Sequence, residues 1–105
     1  MKFNPKELLG SLGVFQAQMQ GKLRALRVQA SAGGNMVAVT CDGYGDVTEV
    51  HIDPEVLKEP DATMLEDLVR AAVNEAQSRA RAQARQELQN LVGLPLAGLL
   101  GAPDP

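Results

Sequence analysis

The sequence holds one histidine and one cysteine, and neither has partners for chemistry nearby. His51 has Glu49 and Asp53 two residues to either side, on one face if the segment is a strand. Ligands on a single strand at that spacing form no closed tetrahedral set, so a surface or dimer-contact histidine is expected rather than a metal site. Cys41 has no second thiol and no histidine beside it in sequence, which reads as an inert core thiol in a reducing compartment. Glu66, Asp67 and Glu75 raise the idea of paired carboxylates. Glu66 and Asp67 stand near a helix start, however, where the macrodipole accounts for them. Gly33-Gly34-Asn35 could begin a phosphate loop, but the helix that must follow such a loop is missing. Nothing assembles a nucleophile, a base and an oxyanion donor. No catalytic residue, cofactor, metal or small-molecule substrate is expected, and the chain reads as a non-enzyme.

The remaining chemistry is cationic. Arg70, Arg81 and Arg85 share one sector of a helical wheel, beside an apolar face, as a stripe that could track phosphates would. The competing reading is a solvated face with pairing inside the helix. Lys2 and Lys6 stand at a helix start, against the dipole, which points to a use that outweighs a small local cost. Lys22, Arg24 and Arg27 read as ordinary solvated side chains near a sheet.

The elements that must position these residues follow from periodicity. A chain of 105 residues is one domain by length. With two Phe, one Tyr and no Trp, its core must come from Leu, Val, Met and Ala. From about Pro5 to Ala25, apolar residues at 8, 12, 15, 19, 23 and 26 trace one face of an amphipathic helix, with Asn4 as cap. Three glycines lie within it, so it needs a packing partner. The period then becomes two. Leu26–Ala30, Met36–Cys41 and Val47–Ile52 read as strands of an antiparallel meander, with Thr48, Val50 and Ile52 on one face. Asp53-Pro54 ends it.

A second helix starts near Pro60. Thr63 and Glu66 have capping-box spacing, with Asp61 as the rival cap. The pattern runs to about Asn90, roughly 45 Å of helix. Leu65, Leu68, Val69, Ala72, Val73, Ala76, Ala80 and Ala84 share its apolar sector. Strands of five or six residues span only about 17–20 Å. The far half of this helix therefore needs another partner, and the first helix is expected beside it as a projecting antiparallel arm. A thin arm and an open sheet call for a second copy of the chain, with Leu65, Leu68, Val69 and Val73 in the dimer interface. The domain is expected over residues 1–92, with a flexible Gly/Pro-rich tail at 93–105.

Four runs of residues carry a family likeness. Gly34-Asn35-Met36-Val37-Ala38-Val39-Thr40, Val50-His51-Ile52-Asp53-Pro54-Glu55-Val56-Leu57, Met64-Leu65-Glu66-Asp67-Leu68-Val69 and Ala71-Ala72-Val73-Asn74-Glu75-Ala76 follow in register. Together they closely resemble the YbaB/EbfC family of bacterial nucleoid-associated proteins. The resemblance implies an α+β fold: an N-terminal helix, a three-stranded antiparallel sheet and a long C-terminal helix. It further implies a tweezer-like homodimer that binds duplex DNA with little sequence preference and affects nucleoid organisation and gene expression. Family members often carry Lys or Arg at the strand positions matching Ala38, Thr48 and Glu49, and this chain has none there.

Charge refines that expectation. The net of −3 hides a segregation. Residues 1–34 set five cations against Glu7 alone, whereas residues 35–75 set ten carboxylates against Lys58 and Arg70. Phosphates should avoid the acidic middle and meet Lys2, Lys6, Arg81 and Arg85, expected to converge at the arm tips. DNA-binding residues are therefore expected at Lys2, Lys6, Arg70, Arg81 and Arg85. A scaffolding homodimer without DNA contact is the alternative, favoured by the net charge and the missing strand cations. The first twenty residues lack a signal-peptide pattern and no window could span a bilayer, so a cytoplasmic, nucleoid-associated location is expected.

Overall fold

The structure is a computed structural model and describes residues 4–92. Lys2 and the expected tail at 93–105 lie outside the described residues. In chain order the elements are α1 (Pro5–Ala25), β1 (Val28–Ala32), β2 (Val37–Cys41), β3 (Val47–Ile52), a 3-10 turn (Pro54–Leu57) and α2 (Ala62–Val92).

Helix α1 starts as its residues require. Pro5 occupies the first turn, and the Asn4 side chain accepts a hydrogen bond from the Lys6 backbone N–H at 3.0 Å. It buries no residue. Leu8, Leu12 and Phe15 remain exposed along it, and nothing approaches the Cβ positions of Gly10, Gly13 or Gly21. Among the described residues, α2 meets α1 only near the end of α1, and the rest of α1 has no packing partner.

The three strands form one antiparallel sheet in the order β1-β2-β3, with Ala30 facing Val39 and Val39 facing Val50. Central strand β2 shows the clearest alternation: Val37, Val39 and Cys41 are fully buried, while Ala38 and Thr40 point to the other face. β1 begins two residues later than its alternation suggests. Leu26 is instead the C-cap of α1, its N–H donating to Lys22 and Leu23 carbonyls. A shift of two preserves phase, so Val28, Ala30 and Ala32 still face the core. β2 likewise begins at Val37 rather than Met36, because Gly33, Gly34 and Asn35 turn through three successive left-handed residues, with φ of 65°, 63° and 72°. Gly33 suits that backbone, and a Cβ there would lie 2.7 Å from Leu68 Cδ2, so the Leu68 side chain would have to move.

Helix α2 lies across β1 and β2. Ala72, Ala76 and Ala80, at steps of four, are fully buried against the sheet, and Leu65, Leu68, Val69 and Val73 flank them half-buried. The alanines set the distance. Side chains without γ atoms let the helix approach the valines of β2 directly, and nearer its start Leu65, Leu68 and Val69 pack against the same core. Since α2 covers β1 and β2, edge strand β3 stays exposed except at Ile52. The shared face expected of Thr48, Val50 and Ile52 therefore has no cover along most of its length.

The α2 cap is Asp61, whose side chain accepts from the Met64 N–H at 3.1 Å and whose carbonyl accepts from Leu65. The helix begins at Ala62, so Thr63 already lies inside the first turn and cannot cap it.

Candidate nucleic-acid interface

The cations differ in how they are held. Among the described residues, ion pairs engage Lys22 with Glu87, Arg24 with Asp42 and Asp46, Lys58 with Glu55, Arg70 with Asp67 and Arg79 with Glu75. Arg79 also donates to the Gln29 carbonyl at 3.1 Å and ties α2 to β1. Arg27 donates to the carbonyls of Arg24 and Leu26. Lys6, Arg81 and Arg85 have no ion-pair partner among the described residues. Exposed pairs such as Arg70–Asp67 contribute little to stability. They matter for binding all the same, because a phosphate must compete with the carboxylate already present.

Arg81 and Arg85 sit four residues apart on the exposed side of α2, where Cβ atoms of such a pair are about 5–6 Å apart. Two neighbouring guanidiniums without carboxylate partners can contact successive phosphate oxygens by charge-assisted hydrogen bonds. Lys6 does not join them. The long 3.9 Å contact between Lys22 and Glu87 places the base of α1, not its beginning, beside this part of α2. Lys6 lies sixteen residues further along α1, roughly 24 Å of helix. The expected convergence of Lys6 with Arg81 and Arg85 is therefore corrected: α1 is joined to α2 near Lys22 and projects from there. Arg70 is remote from both, in the third turn of α2.

Arg24, read from sequence as an ordinary solvated side chain, is the best-held cation among the described residues. Its guanidinium donates to Asp42 at 3.0 Å and to Asp46 at 2.8 Å, and its Cζ lies 4.3 Å from the centre of the Tyr44 ring. Asp42 itself is buried and accepts the N–H groups of Tyr44 and Asp46 at 2.9 and 3.1 Å. Burial pushes the Asp42 carboxyl up, but those two N–H donors and Arg24 outweigh it and hold it below the ordinary carboxylate value. The Asp46 and Asp42 carboxylates raise Arg24 in turn. The signal for this cluster was present in the two acids of the Asp42–Asp46 turn, but only folding brings Arg24 to them. Burial pushes the Cys41 thiol up, with Asp42 and Asp46 adding to the shift. His51 stands exposed on β3, across from Ala38.

The chain matches the YbaB/EbfC DNA-binding family over residues 1–94. It is 40% identical over 98 residues to a nucleoid-associated protein of Syntrophobacter fumaroxidans, covering 92% of this chain and 89% of the relative. It is 36% identical over 93 residues to one of Agrobacterium fabrum, covering 85% and 87%. An uncharacterized protein of Helicobacter pylori shares the fold at a TM-score of 0.67 with 20% identity, over 87% of this chain and 99% of that one. A helix, a three-stranded antiparallel sheet and a long helix thus form an α+β chain of nucleic-acid-binding class. The chain belongs to the YbaB/EbfC DNA-binding family.

Proposed function

We propose that this protein is a nucleoid-associated, non-enzymatic homodimer that binds duplex DNA largely without sequence preference and alters its conformation, with effects on nucleoid organisation and gene expression. Family membership supports the DNA partner. The observation that carries the site is the pair Arg81 and Arg85, exposed, four residues apart and without a carboxylate partner among the described residues. These two make the main phosphate contacts, with Lys6 of α1 reaching a separate stretch of backbone, Lys2 ahead of it in sequence adding charge, and Arg70 a weaker third. Contacts of this kind read charge rather than sequence. No zinc site or aromatic stacking set accompanies them among the described residues.

The dimer would form through the open sheet and the Leu65, Leu68, Val69 and Val73 face. Those four side chains already lean on their own sheet, so a partner would meet only their outer edges, together with exposed Val47 and Val50 of β3. Arms from two copies then give the tweezer-like outline. The partners are thus duplex DNA and a second copy of the chain, without a small-molecule substrate, in the bacterial cytoplasm at the nucleoid. None of the helices searched among the described residues is long and apolar enough to cross a membrane.

The test is a salt titration of duplex binding by the protein and its R81A/R85A variant. Affinity should fall steeply with salt. The variant should bind all duplexes more weakly, with a salt slope flatter by about one unit per lost contact. Equal affinity of variant and parent at two salt concentrations would remove these arginines from the site. A scaffolding homodimer without DNA contact is the second reading, favoured by the absence of cations at Ala38, Thr48 and Glu49. It predicts no salt-dependent duplex binding at all.

A further inference from the structure

We propose that the Asp42–Asp46 turn is the joint that aims α1, with Arg24, Asp42 and Gly43 as its positioning residues. Helix α1 buries no side chain fully; only Met19 and Leu23 near its end are half-buried, so packing along most of its length does not set its direction. What holds it lies in its last turn. The Gly43 N–H donates to the Leu23 carbonyl at 2.7 Å, and a Cβ on Gly43 would stand 2.8 Å from that oxygen and 2.9 Å from Leu23 Cα. Backbone meets backbone there, and no side chain fits between. One residue on, Arg24 bridges Asp42 and Asp46 and stacks on Tyr44. The carboxylate it grips is rigid, since Asp42 is 3% exposed and its other oxygen accepts two N–H groups of the turn. The same turn also touches α2: Gln77 Nε2 donates to the Gly45 carbonyl at 3.0 Å. One five-residue turn therefore fixes the base of α1 and registers it against α2.

The lever is long. Twenty-one residues of helix extend about 31 Å, so about 10° of freedom at the joint moves the far end by roughly 5 Å. In a pair of arms that displacement decides which phosphates can be spanned together. The consequence for DNA rests on the DNA-binding reading above; the aiming of α1 does not.

The experiment separates the two. Nitroxide labels on S11C and S78C, both exposed positions, report the angle between α1 and α2 within one chain when labelled protein is diluted with unlabelled. Cys41 stays unlabelled because it is buried. Arg24→Gln removes the bridge from a side chain that is 60% exposed, so it should fold, and Gly43→Ala pushes on Leu23 directly. Both should broaden or shift the distance distribution by several ångström while helix content by circular dichroism stays unchanged. Distributions identical to the parent in Arg24→Gln would overturn the proposal, whether or not Gly43→Ala folds. On duplex DNA, Arg24→Gln should bind more weakly at an unchanged salt slope. A slope lower by about one unit with an unchanged distance would make Arg24 a direct phosphate contact instead, against the proposal. A shifted distance in a protein that binds no DNA would leave the joint standing and remove only the DNA-binding reading.

Discussion

Asp42 and Cys41 are adjacent in sequence, and burial pushes both up, yet their net shifts are opposite because only Asp42 has donors that outweigh it. Cys41 is a fully buried thiol on the core face of β2, raised above its ordinary pKa and so poor in thiolate. A disulfide reagent should leave it untouched in the native protein and find one thiol per chain in guanidinium. Rapid native reaction would mean that β2 opens. Asp42 is held below the ordinary carboxylate value. The unfolded chain therefore takes up its proton more readily than the folded one. The stability this confers is present above about pH 3.9, the unfolded value, and is lost as pH falls through the lower folded one. Urea midpoints measured from pH 6 downward should drop more steeply for the parent than for Asp42→Asn, which has already lost that contribution at every pH.

At the scale of elements, α2 and β2 make the core, and their contact depends on small residues. Ala72, Ala76 and Ala80 are each fully buried beneath the helix. Ala76→Leu would force α2 off the sheet and should cost about 1–3 kcal/mol in urea unfolding. Gly33→Ala meets both a left-handed backbone and the Leu68 methyl, and about 1–2 kcal/mol is expected from the backbone alone. Gly34→Ala shares the left-handed φ but has open space, so comparing the two variants isolates the contact with Leu68. The expected helices and strands appear because their periods were strong. The limits that moved did so where two signals overlapped. Leu26 fits both the phase of β1 and the end of α1, and the helix took it because its N–H caps two free carbonyls. Thr63 and Asp61 both suit a cap, and the start at Ala62 selected Asp61.

Across the whole molecule, too much apolar surface is left without cover. Leu8, Leu12, Phe15, Val47 and Val50 are all more than a third exposed in the single chain. Patches of that kind mark interfaces. Light scattering at micromolar concentration should give twice the 11.2 kDa chain mass, and a value at the chain mass would remove the dimer. Edge strand β3, open in the single chain, should then be the element whose amide exchange slows most on association.

The sequence by itself determined the order and type of the elements, the apolar face of α2, the Asn4 cap and the YbaB/EbfC family, because each is a matter of local spacing or of residues in a row. Which cations remain available was decided only by tertiary structure. From sequence, Arg24 reads as an ordinary solvated side chain near the sheet, and Arg81 and Arg85 as part of a basic stripe whose pairing is open. Folding brings two carboxylates to the first and none to the other two among the described residues. A charge pair between residues eighteen apart depends on the path of the chain through β1 and β2, which no local pattern encodes. The same holds for α1. Its helical period announces an apolar face, whereas the contacts at its base, Gly43 to Leu23 and Arg24 to Asp42 and Asp46, join residues that no local pattern pairs.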